Sequence, residues 1–177
     1  MKKSIIIIAA ILMAGFSTKV MAQITRENTA NSEIIAQLTI AKGVEFNFGK
    51  MAVLALTPGT CKISTSAART ATAGVTINTA SSFTNATFDV TGLANATYAI
   101  TMSSPITVSK GGGVNMTIDN LKLITTANAT DRDATSTTST LSGSGVDAIT
   151  LGGTLNVAAG QAVGAYTGNF NLTVTYN

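Results

Sequence analysis

The side chains of this sequence that could carry out chemistry are few, and their spacing does not gather them. Eight carboxylates are present, Glu27, Glu33, Glu45, Asp89, Asp119, Asp131, Asp133 and Asp147, and a pair brought together by folding could hydrolyse a glycoside. Histidine is absent from all 177 residues. Neither a Ser-His-Asp nor a Cys-His site can therefore be built, and zinc would lack its commonest ligand. Asn128, Asp131 and Asp133 supply the hard oxygens that calcium prefers, but they match no calcium loop and read more simply as a solvated turn. Lys110 followed by Gly111-Gly112-Gly113 lacks the order and the trailing Ser/Thr of a phosphate loop, and reads as a hairpin turn. Cys61 is the only cysteine, which excludes an intrachain disulfide and leaves a shielded thiol or an interchain bridge. The sequence thus offers no catalytic residue, no metal ligand set and no cofactor site, and it reads as a non-enzyme.

Export sets the frame for everything else. Lys2 and Lys3 precede the apolar run Ile5 to Phe16, and Val20-Met21-Ala22 supplies small residues where a signal peptidase cleaves, so residues 1–22 read as a signal peptide. The apolar run is too short to cross about 30 Å of hydrocarbon, and no later segment is long enough to span a bilayer. The mature chain is expected to start at Gln23, with localisation in the periplasm, at the cell surface or outside the cell. Removing residues 1–22 from 177 leaves 155, enough for one domain. Lys2, Lys3 and Lys19 leave with the signal, so 8 of the 11 basic residues remain against 8 acidic ones. With no net charge and no basic cluster, nucleic-acid binding lacks its electrostatic term.

Residues 23–33 are polar and without period, which reads as a flexible leader, and residues 34–177 read as the folded domain. Ile34, Ala36, Leu38 and Ile40 share one parity, either as a first strand or as a segment offered to a neighbour. Val44, Phe46 and Phe48 alternate with polar residues up to Gly49, and Val75 and Ile77 suggest a short strand. Ala86, Phe88 and Val90, followed after Gly92 by Ala96, Tyr98, Ile100 and Met102, read as a β-hairpin. Ile106 and Val108 return through the glycine turn as Val114, Met116 and Ile118, and a parity shift to Leu121 and Leu123 predicts a β-bulge near Asp119-Asn120. Residues 125–145, rich in Thr, Ser, Ala and Asp, read as an exposed loop edged by short strands. Ile149, Leu151, Leu155 and Val157 suggest a strand pair around Gly152-Gly153. The strands are short and closely spaced, and no helical period appears after the signal. The fold class is all-β: a single antiparallel immunoglobulin-like β-sandwich.

The strongest pattern is the last. From Gly164 to Asn177, the residues Tyr166, Gly168, Phe170, Leu172, Val174 and Tyr176 alternate with Thr and Asn, so one face of a strand is apolar and the other polar. Full burial of its five large apolar side chains would contribute roughly 8–15 kcal/mol. Together with Phe46-x-Phe48-Gly49 and Gly152-Gly153-x-Leu155-x-Val157, this stretch resembles a family of uncharacterised secreted bacterial domains. That resemblance implies an immunoglobulin-like sandwich without an assigned activity. The terminal strand also resembles the C-terminal motif of chaperone–usher fimbrial subunits. The likeness makes Tyr176 the penultimate aromatic, Phe170, Leu172 and Val174 the alternating series, and Gly164 the glycine fourteenth from the end. It implies a strand recognised by a periplasmic chaperone and partners that are copies of the chain or related subunits.

The functional expectation is an exported structural or adhesive surface protein of fimbrial type, with Ile34, Ala36, Leu38 and Ile40 as the candidate assembly strand. The competing expectation is a stand-alone secreted module that binds glycan or protein without polymerising.

Overall fold

A computed structural model describes residues 24–177; the signal peptide expected over residues 1–22 lies outside the described residues. The chain divides after Ile34, and Ile35–Asn177 forms one folded unit. Residues 24–34 carry no strand and are exposed.

The folded unit is all-β and antiparallel throughout, with no helix among the described residues. Its strands are β1 (Thr39–Lys42), β2 (Met51–Val53), β3 (Gly59–Ile63), β4 (Arg69–Ala71), β5 (Val75–Ile77), β6 (Ala86–Thr91) and β7 (Thr97–Met102). They continue as β8 (Ile106–Ser109), β9 (Asn115–Thr125), β10 (Asn128–Asp133), β11 (Ser136–Thr140), β12 (Val146–Val157) and β13 (Leu172–Tyr176). Eight strands form one sheet, β11, β7 and β13 a three-stranded sheet, and β2 and β5 a pair.

The long strand β12 is the axis of the large sheet. Asp147, Ile149, Leu151, Leu155 and Val157 share one parity and are buried, the period-two signature of a strand with one face on a core. β9 pairs with β12 from Ile149 to Asn156. Since a strand has two edges, β6 and β3 must share the other, β6 along Val146–Leu151 and β3 along Gly153–Val157. The Asn85 side chain, buried at the point where β6 gives way to β3, donates to the Leu151 carbonyl at 2.9 Å and to the Ser64 carbonyl at 2.8 Å.

Gly152 and Gly153 do not turn the chain into a strand pair; both lie inside β12. A Cβ on Gly152 would stand 2.7 Å from the Ile63 carbonyl oxygen, and one on Gly153 would stand 2.9 Å from a Leu121 methyl. Glycine inside a strand here permits close approach rather than reversal. The expected bulge is present: Gly152 faces Lys122 and Thr154 faces Asp119, so Asn120 and Leu121 together oppose Gly153, with Asn120 at a φ of 46°. The glycine turn also joins a true hairpin, β8 to β9.

Three other expectations are corrected. The proposed hairpin over residues 86–102 is not one, because β6 pairs with β1 and β12 while β7 pairs with β11 and β13. Alternation fixes which face of each strand is apolar and is silent about the neighbour; the 92–96 connection crosses from one sheet to another. Residues 44–48 make only an isolated bridge, Asn47 with Thr84, and Phe48 is buried with its ring 4.7 Å from that of Phe46. Residues 125–145 hold β10 and β11 with Ala134, Ser139 and Leu141 buried, and threonine, a good strand former, supplies the local preference.

The buried apolar side chains of the sheets form one cluster, from Cys61, Ile63 and Val90 through Tyr98, Ile100 and Leu123 to Ile149 and Leu151.

Candidate functional site

The small sheet has a buried central strand and two edges. Tyr98, Ile100 and Met102 of β7 point into the core and are buried. β11 lies against one side of β7 from Thr140↔Thr97 to Ser136↔Thr101. β13 lies against the other, from Tyr176↔Tyr98 to Leu172↔Met102. Among the described residues no strand pairs with the outer side of β13.

The alternation of β13 is kept in space, but the expected burial is not reached. Leu172, Val174 and Tyr176 are half-buried, while Thr173, Thr175 and Asn177 are exposed. A last strand has a sheet neighbour on one side alone, so its inward side chains are covered from one direction. The Asn177 N–H donates to the Thr97 carbonyl at 3.3 Å, and backbone groups alternate in direction along a strand. Thr173 and Thr175 therefore share the direction of Asn177 toward β7, and the N–H and C=O groups of Leu172, Val174 and Tyr176 face the open side. The strand β13 carries no charge and no proline, the usual devices that protect a sheet edge.

The rest of the C-terminal stretch is not strand. Thr167 bridges to Ser109 at the edge of the large sheet, and a Cβ on Gly168 would lie 2.1 Å from the Thr107 carbonyl oxygen, so the chain passes this edge before it joins the small sheet. Phe170 meets Phe88 edge to face at 6.1 Å between ring centres. The Tyr166 hydroxyl donates to the Ala162 carbonyl at 2.7 Å. Gly164 packs against Lys110, whose ammonium donates to the Val163 carbonyl at 3.0 Å.

Tyr176 does more than fill space. Its hydroxyl accepts the Leu93 N–H at 2.6 Å and donates to the Ala36 carbonyl at 2.9 Å. It lies where a Cβ on Gly92 would be, 2.3 Å away, so glycine at 92 makes the latch possible. The candidate assembly residues are divided by this latch: Ile34 is 99 % exposed, Ala36 is held by Tyr176, and Leu38 and Ile40 pack against the core. Ile40 pairs with Val90 in β1.

Beside the opposite edge of the small sheet lies a polar network that the sequence reading missed. Asp147 accepts the Tyr98 hydroxyl at 2.8 Å, the Ser139 hydroxyl at 2.7 Å and the Ala148 N–H at 2.9 Å. The Ser139 and Thr125 hydroxyls are 2.8 Å apart, and Arg132 donates to Thr125 Oγ1 at 3.1 Å and also to the Thr138 carbonyl of β11. Tyr98, Thr125, Ser139 and Asp147 are all buried. Burial, reinforced by the adjacent Asp147 carboxylate, holds the Tyr98 hydroxyl well above its usual range. The available signal was Asp147 itself, a carboxylate on the apolar parity of β12. Beside this network Thr97, Asn128, Arg132, Thr138, Thr140 and Asn177 line a polar cleft of about 340 Å³.

The remaining candidates for chemistry point to separate partners. Asp131 accepts from Thr65, Asp133 pairs with Lys122 at 2.7 Å, and Asn128 caps the Thr130 N–H at 3.0 Å. Cys61 has no exposed surface, and burial raises its thiol pKa, with Arg69 opposing. Among the described residues no helix is long and apolar enough to cross a membrane.

A family model described as a domain of unknown function (DUF4402) matches residues 38–176. No curated protein and no solved structure matches the chain.

Proposed function

We propose that this chain, which belongs to the DUF4402 family of domains of unknown function, is an exported structural or adhesive surface subunit that joins its copies by strand addition at β13. The observation that carries the reading is the free side of β13: an uncharged edge strand, open in its backbone groups, above an apolar face that is only half-buried. An extended segment added there would pair main chain with main chain and set alternate side chains against Phe170, Leu172 and Val174. In this reading the fold is an immunoglobulin-like sandwich short of one strand, residues 1–22 direct export, and a periplasmic chaperone covers the β13 edge until a subunit replaces it.

The donor is the segment that precedes the Tyr176 latch in a second copy. Its even positions carry Ile24, Ala30 and Ile34 together with Arg26, Asn28 and Ser32, and both of its carboxylates, Glu27 and Glu33, fall on odd positions, so the even face brings no anion to an apolar surface, while Arg26 on that face must extend its guanidinium to solvent. Ile34 of the candidate assembly strand belongs to this donor, whereas Leu38 and Ile40 are engaged within their own chain. Head-to-tail addition does not close on itself and builds a fibre. The polar cleft beside Arg132 favours the second reading, a stand-alone module for glycan or protein.

Val174→Pro removes an N–H from the open side of β13 and spares the bonds to β7. The expected outcome is loss of polymers from the sheared surface fraction while the purified variant keeps a strand-type circular dichroism spectrum. Polymers of wild-type abundance from this variant would exclude strand addition at β13. Wild-type protein found wholly in the soluble fraction as monomer would favour the binding module.

A further inference from the structure

Three exposed apolar side chains stand at one end of the folded unit without a role in its core. Leu56 is 92 % exposed, Val163 95 % and Leu54 56 %. Their loops are tied together: the Gly160 N–H donates to the Leu54 carbonyl at 3.0 Å, and Lys110 holds the Val163 carbonyl. This is the end at which β12 finishes and β9 begins, since Asn156 lies opposite Thr117. The other end holds Thr97 and Tyr176, the point where the chain enters β1, and a second exposed apolar group, Leu93, Val146 and Ile35.

We infer that these two ends dock on each other between successive copies, so that the Leu54/Leu56/Val163 tip of one copy seats the Leu93/Val146 end of the next. The inference rests on strand addition at β13 and follows from its direction. Every pairing in the folded unit is antiparallel. A donor antiparallel to β13 starts beside Tyr176 and finishes beside Leu172, so it leaves the acceptor toward the tip. The donor ends at Ile35 and continues directly into Ala36 of its own copy, which brings that copy's Leu93 and Val146 against the acceptor's tip. A twelve-residue donor, 24–35, extended at about 3.3 Å per residue, reaches about 40 Å. The five residues of β13 span about 17 Å at the same rise, so the donor covers the edge with length to spare. The side chains brought together, Leu54, Leu56 and Val163 against Leu93 and Val146, are apolar, and Lys110 is the charged group beside them, so their contact buries no unpaired anion.

The test uses the full chain carrying Leu56→Asp and Val163→Asp, with a synthetic peptide of residues 24–35 as a probe of the β13 edge. Wild type and variant are expected to bind the peptide within about twofold of each other, while the mean polymer length of the variant, read by electron microscopy and sedimentation, falls at least tenfold. Variant polymers of wild-type length, with peptide binding intact, would overturn the end-to-end contact and leave strand addition standing. Failure of the peptide to bind wild-type protein would overturn strand addition and the contact with it. A second variant, Leu56→Cys with Leu93→Cys, should give a ladder of disulfide-linked multimers under oxidation; intact polymers without a ladder count against the contact.

Discussion

The two edges of the three-stranded sheet are built from opposite materials. At β11 Arg132 holds one outer backbone group, the Thr138 carbonyl, and behind it Thr125, Ser139, Tyr98 and Asp147 satisfy one another in the interior. At β13 the outer backbone is free and the side chains beneath it are apolar and half-covered. A polar network fixes a geometry, because each buried donor left without its acceptor costs about 1–3 kcal/mol. An apolar face fixes only a shape, and a further strand from elsewhere can complete it. The difference assigns rigidity to one edge and availability to the other.

The largest expected effect comes from breaking the polar network at its centre. Asp147→Ala removes the acceptor of two buried hydroxyls and of the Ala148 N–H, and should lower unfolding free energy by about 2–5 kcal/mol. Urea unfolding measures the loss, and hydrogen exchange should show β11 amides losing protection before those of β13. A loss below about 1 kcal/mol, or equal deprotection of both edges, would remove the distinction between them.

These edges were unequally legible in the sequence. The β13 alternation could be read because each side chain reports its own face. Its incomplete burial could not, since that depends on which strand lies beyond it. Residues 125–145 read as loop because Leu141 is their one large apolar side chain and the rest of their buried side chains are Thr125, Ala134 and Ser139, and polar groups reveal their burial only once their partners are known. The β9 bulge showed as a parity shift and the β8–β9 turn as a glycine run, both local. That β6 and β7 belong to different sheets is a fact about strands distant in sequence, β12 and β13, and left no mark on residues 86–102.

A smaller effect is expected where the open edge is tethered. Tyr176→Phe removes one acceptor and one donor, freeing the Ala36 carbonyl and the Leu93 N–H. Both backbone groups lie near solvent and can turn to water, so the expected loss is about 0.5–1.5 kcal/mol. Gly92→Ala drives a methyl into the same hydroxyl and should cost about 1–3 kcal/mol through displacement of the ring. The two changes act on one contact, so in the double variant, followed by thermal unfolding, the Gly92→Ala penalty should shrink when the hydroxyl is already gone. Additive losses would mean that Gly92 matters for a reason other than Tyr176.

The smallest effect is silent at neutral pH and appears only in alkali. Tyr98 is held protonated in the folded chain by burial first and by the Asp147 carboxylate second, so its folded pKa lies above the value of about 10 that it regains on unfolding. Such a group contributes its full stability below pH 10, and the contribution is lost as pH rises from there toward the folded pKa, because the unfolded chain releases a proton that the folded chain keeps. One proton corresponds to a slope of about 1.4 kcal/mol per pH unit. Urea unfolding from pH 8 to pH 11 should therefore show a bend near pH 10 that is steeper in wild type than in Tyr98→Phe. The variant should start lower at pH 8, since Asp147 has lost a hydrogen-bond donor, and the two curves should converge as pH rises. Parallel curves would mean that Tyr98 ionises as easily in the fold as in the open chain, and that the polar network is wetter than its hydrogen bonds imply.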